Sequence, residues 1–126
     1  MRDIRLPSDL SLVNEMMSWL EFSTLAAQMP CLLSMSRGKG AGVFVLPGFG
    51  GGDGSTAPLR HYLSLLGYDV SGWSKGTNNG QVLDLLDQMR DAVKEESELT
   101  GDKITLIGWS LGGYIAREVA REIPNV

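Results

Sequence analysis

The chain has 126 residues, of which 43% are hydrophobic and 21% charged, and its formal net charge is −4 at pH 7. This size and composition are ordinary for one globular domain or part of one. Its basic residues are scattered singly and form no clustered positive face, so we expect no nucleic-acid partner. One cysteine, Cys31, allows no intrachain disulfide, which favours a reducing compartment and a cytoplasmic location.

The amino-terminal segment is predicted to be helical. Pro7 and Ser8 are start signals, apolar residues follow at helical spacing, and the helix is expected to end by Pro30. The segment from Phe22 to Ser36 is uncharged, but it is shorter than the roughly 18 apolar residues of a spanning helix. We therefore expect no membrane-spanning segment here.

A strand and a glycine-rich loop follow. The wholly apolar run from Val43 to Leu46 is typical of a strand buried on both faces of a parallel sheet, and Pro-Gly-Phe-Gly-Gly-Gly-Asp-Gly at 47–54 follows it directly. Such a loop is either a phosphate cradle or an oxyanion loop. Neither Gly-x-x-x-x-Gly-Lys-Ser/Thr nor Gly-x-Gly-x-x-Gly occurs here. An oxyanion loop, which needs only a free backbone N–H, is favoured over the cradle and over a flexible surface loop.

Two amphipathic helices with a strand between them are predicted next. The first is expected to begin with Ser55 or Thr56 as its cap and to stop at Gly67. Tyr68 to Trp73 is predicted to be the strand, and Gln81 to Leu99 the second helix. The acidic residues of the second helix are expected to form a solvated face and not a metal site, because no histidine or cysteine joins them.

Two polar features of this region are candidates for a functional role, but a structural role is preferred for each. His61 is the chain's one histidine, lies off the apolar stripe of its helix, and is expected to be a surface residue instead of a catalytic base. The segment Ser74 to Gly80, which contains Asn78 and Asn79, has turn chemistry. It could line a substrate cleft, but a plain turn is the preferred interpretation.

The most informative stretch is Gly108-Trp-Ser-Leu-Gly112, which has the pattern Gly-x-Ser-x-Gly of a nucleophile elbow. A strand-like run, Ile104 to Ile107, precedes it. The flanking glycines suit a tight turn in which strand and helix approach closely, and a helix start beside Ser110 offers free N–H groups for an oxyanion. The alternative is that Ser110 merely caps the helix. Residues at helical spacing follow the turn: Leu111, Ile115, Ala116, Val119, Ala120 and Ile123.

These motifs resemble those of the α/β-hydrolase fold family, and more narrowly of its bacterial lipase- and esterase-like members, in which Leu-Pro-Gly-Phe stands where many relatives have a His-Gly pair. The stretch from Val43 to Ile123 looks like the amino-terminal half of that fold. By this resemblance Ser110 is the nucleophile, and the backbone N–H groups of Phe49 and Leu111 are the oxyanion donors.

Three apolar strands separated by helical crossovers predict a three-layer α/β/α domain with a short parallel sheet, which by the resemblance is part of an α/β-hydrolase fold. Residues 37–126 are expected to form this partial α/β-hydrolase domain, and residues 1–36 a helical lead-in. The family places its catalytic acid and histidine after the serine, but after Ser110 this sequence has only Glu118 and Glu122 as acids and no histidine. The expectation is therefore a fragment that lacks the triad acid and histidine.

The resulting hypothesis is a serine hydrolase that cleaves a small-molecule carboxylic ester or lipid-like substrate through an acyl-enzyme on Ser110, with no metal and no organic cofactor. The alternative is a non-catalytic α/β domain that binds an apolar ligand or a partner chain through the glycine-loop cleft and the first helix. An unpaired final strand is a route to aggregation, so self-association through an exposed sheet edge is also expected.

Overall fold

The computed structural model describes residues 9–124 and 126, with side chains from residue 16 onward. The chain divides into two compact units, Met1–Met35 and Ser36–Val126. The start signals Pro7 and Ser8 lie outside the described residues. Within the described range, no helix combines the length and the apolarity that a bilayer crossing demands.

The described part of the first unit contains one long helix, α1, from Asp9 to Leu33. The predicted end at Pro30 is wrong, because the helix continues through this proline. Proline removes one backbone hydrogen bond, to the carbonyl of Ala26, but near the end of a helix only the last turn depends on that bond. The large apolar side chains of α1 from Met16 to Leu25 are exposed.

The second unit alternates strands with helices, as the spacing of apolar runs predicts. Its three strands are short, and its helices follow them as crossovers. The elements are β1 (Gly42–Leu46), α2 (Asp53–Leu65), β2 (Asp69–Gly72), α3 (Val82–Thr100), β3 (Thr105–Gly108) and α4 (Leu111–Glu122).

The three strands form one parallel sheet in the order β2-β1-β3. The register pairs Phe44 of β1 with Ser71 of β2 and with Leu106 of β3. The central strand β1 is buried from Val43 to Leu46, in agreement with its continuous apolar sequence. A mixed α/β fold with a parallel sheet is thus confirmed, whereas self-association through the outer side of β2 or β3 stays a prediction.

Helices cover both faces of the sheet. Phe44 and Leu46 belong to the main hydrophobic cluster, which α3 and α4 complete. Val45 and Ile107 point to the other face, where they line a cavity together with Leu59 of α2. Because successive side chains of a strand alternate between faces, α2 lies on one side of the sheet and α3 and α4 lie on the other.

The start of α2 differs from its prediction. The helix begins at Asp53, and its cap position is Gly52, which has no side chain to bond. The hydroxyl of Ser55 donates to the Gly52 carbonyl oxygen at 2.7 Å, and that of Thr56 to the Asp53 carbonyl oxygen at 3.3 Å, so both lie inside the first turn. The carboxylate of Asp53 favours this earlier start, because an acidic group is stabilised at a helix amino terminus.

Candidate active site

The glycine loop and the elbow meet at one edge of the sheet, because β1 and β3 are parallel neighbours and both loops leave their carboxyl ends. The N–H of Trp109 donates to the Leu46 carbonyl oxygen at 3.1 Å, which extends the β1–β3 ladder to the elbow. A β-carbon added to Gly48 would lie 3.4 Å from Cβ of Ser110. The loop that follows β1 therefore lies close beside the predicted nucleophile.

Ser110 has an unusual backbone conformation, with φ 52° and ψ −118°. The N–H of Gly112 donates to the Trp109 carbonyl oxygen at 2.9 Å and closes a four-residue turn around it. These angles are close to the roughly +60° and −120° of the first central residue of a type II′ turn, a position that ordinarily requires glycine. A serine held there stores about 1–3 kcal/mol of backbone strain.

The glycines on either side of Ser110 are required by contact. A β-carbon on Gly108 would overlap the backbone of Gly112 and Gly113. A β-carbon on Gly112 would lie 2.5 Å from the carbonyl oxygens of Leu46 and Pro47. Real β-carbons do not approach other atoms as closely as these two would. The first turn of α4 can therefore lie against the ends of β3 and β1 only because residues 108 and 112 are glycines.

Ser110 does not act as a helix cap through its side chain. It occupies the cap position of α4, but its hydroxyl makes no capping hydrogen bond, and the residue is exposed. The N–H of Gly112 bonds to Trp109, and those of Gly113 and Tyr114 bond to the Ser110 carbonyl oxygen. The N–H of Leu111 is the first of the helix and has no intrahelical acceptor, so it is available to a ligand.

The glycine loop contains a tight turn around Phe49. The N–H of Gly51 donates to the Gly48 carbonyl oxygen at 3.0 Å, and Gly50 has φ +76°, as the third residue of a type II turn requires. Phe49 is the second residue of this turn, so its N–H takes no part in the turn's hydrogen bond. Its side chain is 72% exposed.

Asn78 is the residue that sequence reasoning missed, because its segment was interpreted as a plain turn. It is fully buried, and its Nδ2 donates to the Pro47 carbonyl oxygen at 3.0 Å. Its Oδ1 accepts the Gly80 N–H at 3.1 Å, a local bond typical of asparagine in turns. That local pattern was readable in the sequence, whereas the long-range bond to the glycine loop was not.

The carboxylate of Asp53 joins the end of the glycine loop to the end of β2. Its Oδ1 accepts the N–H of Trp73 at 3.0 Å, and its Oδ2 accepts the N–H of Ser74 at 3.1 Å. The indole Nε1–H of Trp73 donates to the Gly76 carbonyl oxygen at 2.9 Å. Ser74 has φ +56°, so the carboxylate helps to hold a residue in the left-handed region.

An apolar cavity of about 410 Å³ lies beneath the meeting point of loop and elbow, on the α2 face of the sheet. This volume is within the usual range of about 300–1,000 Å³ for small-molecule pockets. Trp109 belongs to its lining and is 78% exposed. The other lining residues are Val45, Pro47, Gly48, Ser55, Thr56, Leu59, Ile107 and Gly108.

The remaining titratable candidates lie elsewhere. His61 is exposed on α2 and does not line this cavity, as its sequence position predicts. Glu118 pairs with Arg121 on the same helix, and Glu122 pairs with Arg90 of α3 at 2.6 Å. Among the residues that the structure describes, no three histidine, cysteine, aspartate or glutamate side chains are grouped as metal ligands would be.

In comparisons with known proteins, no family model, no curated protein and no solved structure matches the chain.

Proposed function

We propose that this chain carries the nucleophile of a serine hydrolase of the esterase or lipase type, within a partial α/β-hydrolase fold. The observation that supports the proposal most is the backbone of Ser110, which adopts a glycine-like conformation at the sharp turn from β3 to α4. Strain of this kind persists where the surrounding structure imposes it, and it is concentrated at functional sites. A structural cap would have an ordinary conformation, and its hydroxyl oxygen would accept a hydrogen bond from a backbone N–H of the first turn; Ser110 has neither feature.

The proposed reaction is acyl transfer through a covalent intermediate. The Ser110 Oγ attacks the carbonyl carbon of an ester while a base takes the hydroxyl proton, and the carbonyl oxygen becomes an oxyanion. The C–O bond to the alcohol then breaks as the alkoxide takes a proton, which leaves an acyl-serine for water to hydrolyse. The N–H groups of Leu111 and Phe49 are the proposed oxyanion donors, since each is left free by the turn or helix that contains it.

The apolar cavity next to the elbow, which Gly108 and Trp109 help to line, supports an ester with a hydrocarbon acyl or alcohol group as substrate. The cavity beside the elbow is lined mainly by aliphatic and aromatic side chains. The side chains of Phe49 and Trp109, from the two loops that adjoin Ser110, are both largely exposed. Apolar contacts of this kind would bind the hydrocarbon part, while backbone N–H groups would orient the carbonyl.

The proposal requires a base, and none of the histidine or glutamate candidates among the described residues is available to the serine. His61 is the single histidine, and Glu118 and Glu122 are engaged in ion pairs with arginine side chains. We therefore propose that the histidine and acid of the triad come from residues outside this sequence. Without them, an oxyanion site alone would leave only a small part of the catalysis.

A fluorophosphonate probe tests the nucleophile in the full-length protein as it occurs naturally. Attack by Oγ on phosphorus expels fluoride and leaves a stable phosphonyl-serine, which mass spectrometry can locate. We expect labelling at Ser110 that Ser110→Ala abolishes. Ser64→Ala is the matched control, because Ser64 is an exposed serine of α2 away from the site. Labelling that persists in Ser110→Ala would show that the nucleophile is another residue.

The second candidate function is non-catalytic binding of an apolar ligand, which the cavity beside the elbow favours. A fluorescent fatty-acid analogue distinguishes the two functions. Saturable binding without any turnover of a p-nitrophenyl ester, and without probe labelling of Ser110, would support the binding function. Ester turnover that is lost in Ser110→Ala would support the hydrolase.

A further inference from the structure

The side chain of Asn78 is fully buried, although it lies in a polar segment between β2 and α3. Burying an amide costs free energy unless its donor and acceptor are both bonded. The hydrogen-bond partners of this amide therefore indicate which part of the molecule Asn78 stabilises.

Asn78 bonds mainly to the glycine loop. Its Nδ2 donates to the Pro47 carbonyl oxygen at 3.0 Å. Its backbone N–H donates to the Gly51 carbonyl oxygen at 2.8 Å, and its carbonyl oxygen accepts the Gly50 N–H at 2.7 Å. The fourth bond, from the Gly80 N–H to Oδ1, holds the asparagine's own turn. One residue thus fixes both the beginning and the middle of the loop.

The loop needs this support because its sequence supplies little rigidity. Glycine populates both signs of φ, so a run of glycines does not select one conformation by itself. Phe49 lies between two fixed points: Gly48, which contacts the elbow, and Gly50, which bonds to Asn78. The position of the Phe49 N–H therefore depends on residues outside the loop.

We propose that Asn78 is the positioning residue of the oxyanion site, and that its side-chain amide holds the glycine loop so that the Phe49 N–H is fixed beside Ser110. The oxyanion role rests on the proposed hydrolase function. We call this hold of the Asn78 side chain on the glycine loop the clamp. It is a claim about loop structure alone, so it can be tested whether or not Ser110 is a nucleophile.

An amide fits this role because it carries a donor and an acceptor on one rigid group. In Asn78→Asp an ionised carboxylate would face the Pro47 carbonyl oxygen with no proton to donate. The protonated acid restores the donor, and burial raises the pKa of such a carboxyl above its usual value of about 3.9. The clamp of this variant is therefore expected to be intact below that raised pKa and lost above it.

Amide hydrogen exchange followed by NMR tests the clamp in the chain itself. At pH 7 we expect protection of the Gly50 and Gly51 amides to fall at least about tenfold in Asn78→Ala and in Asn78→Asp, and to recover at low pH in Asn78→Asp alone. Asn79→Ala is the control, because Asn79 is exposed and its Oδ1 accepts only the nearby Gln81 N–H. Protection retained at Gly50 and Gly51 while only Gly80 loses it would overturn the proposal.

Labelling kinetics test the consequence for Ser110. In the full-length protein, the maximal rate of fluorophosphonate labelling is expected to fall about 10- to 100-fold in Asn78→Ala, because a misplaced catalytic group costs this much in rate. The probe concentration at half-saturation is expected to stay unchanged. Labelling at the normal rate in a variant whose loop has lost protection would overturn the positioning role. Wild-type protein that never labels would overturn the hydrolase, and the exchange result would then decide the clamp alone. If Asn78→Ala does not fold, as judged by circular dichroism, the pH series of amide exchange in Asn78→Asp decides the clamp, and the labelling rate of Asn78→Asp at pH 7 decides the positioning role.

Discussion

The elbow at Ser110 and the glycine loop at Phe49 both connect a parallel strand to the helix that follows it, and they end at the same edge of the sheet. The elbow consists of residues 108–112, from the end of β3 to the first turn of α4, and the loop of residues 47–52 lies between β1 and α2. In the elbow, steric contact between backbones fixes the conformation, and the glycines serve to permit that contact. In the glycine loop, hydrogen bonds with Asn78 fix the conformation from outside, and Asp53, which directly follows the loop, accepts hydrogen bonds from the N–H groups of Trp73 and Ser74.

This difference separates two uses of glycine. In the elbow, glycine is required because a side chain would collide with neighbouring backbone, so the local sequence motif nearly specifies the structure. In the loop, glycine gives freedom that other parts of the chain then remove. A motif search can therefore find the first kind of turn, whereas the second kind is defined by residues distant in sequence.

The largest expected effect is that of a side chain in the elbow. Gly112→Ala places a β-carbon against the carbonyl oxygens of Leu46 and Pro47, and it is expected to lower the free energy of unfolding by about 3 kcal/mol. Gly54→Ala is the control, since Gly54 lies in α2 with no atom near its missing side chain; it should raise stability by up to about 1 kcal/mol. Urea unfolding followed by circular dichroism measures both. Equal effects would contradict the steric account of the elbow.

A smaller effect is expected where hydrogen bonds hold the loop. Asp53→Asn leaves one acceptor for the N–H groups of Trp73 and Ser74 and places an NH₂ group against the other, so stability should fall by about 1–3 kcal/mol. Asp84→Asn is matched to it, because Asp84 is also an acid in the first turn of a helix. Both variants lose the interaction with the helix dipole, so their difference in urea unfolding isolates the two hydrogen bonds. A difference near zero would show that Asp53 does not hold the loop.

The smallest effect concerns the strain at Ser110 and has the opposite sign. Ser110→Gly should be more stable than Ser110→Ala by about 1 kcal/mol, because relief of about 1–3 kcal/mol of strain is partly offset by the greater entropy of unfolded glycine. Both variants lack the hydroxyl, so thermal unfolding compares the backbones alone. If Ser110→Gly is instead less stable than Ser110→Ala by about 0.4–1 kcal/mol, which is the entropic cost of glycine alone, this conformation stores no strain.

The sequence predicted the elements of the second unit because its apolar periods change clearly between strand and helix. Val43 to Leu46 is a buried central strand, and the acidic residues of α3 lie on its exposed side, as expected. Boundaries were less certain. Pro30 does not end α1, which continues to Leu33, and Ser55 does not cap α2, which begins at Asp53. A single proline or serine is a weak indicator of where a helix begins or ends.

The sequence by itself determined the elbow: Gly108, Ser110 and Gly112 at this spacing, between an apolar strand and an amphipathic helix, define a turn that few other residues could form. Only the tertiary structure decided how the glycine loop is held, because a parallel sheet brings the end of β1 next to residues 78 and 110 from later in the chain. A sequence pattern can predict contacts between residues that are close together in the chain. The hydrogen bonds between Asn78 and the glycine loop depend instead on which strands become neighbours in the sheet.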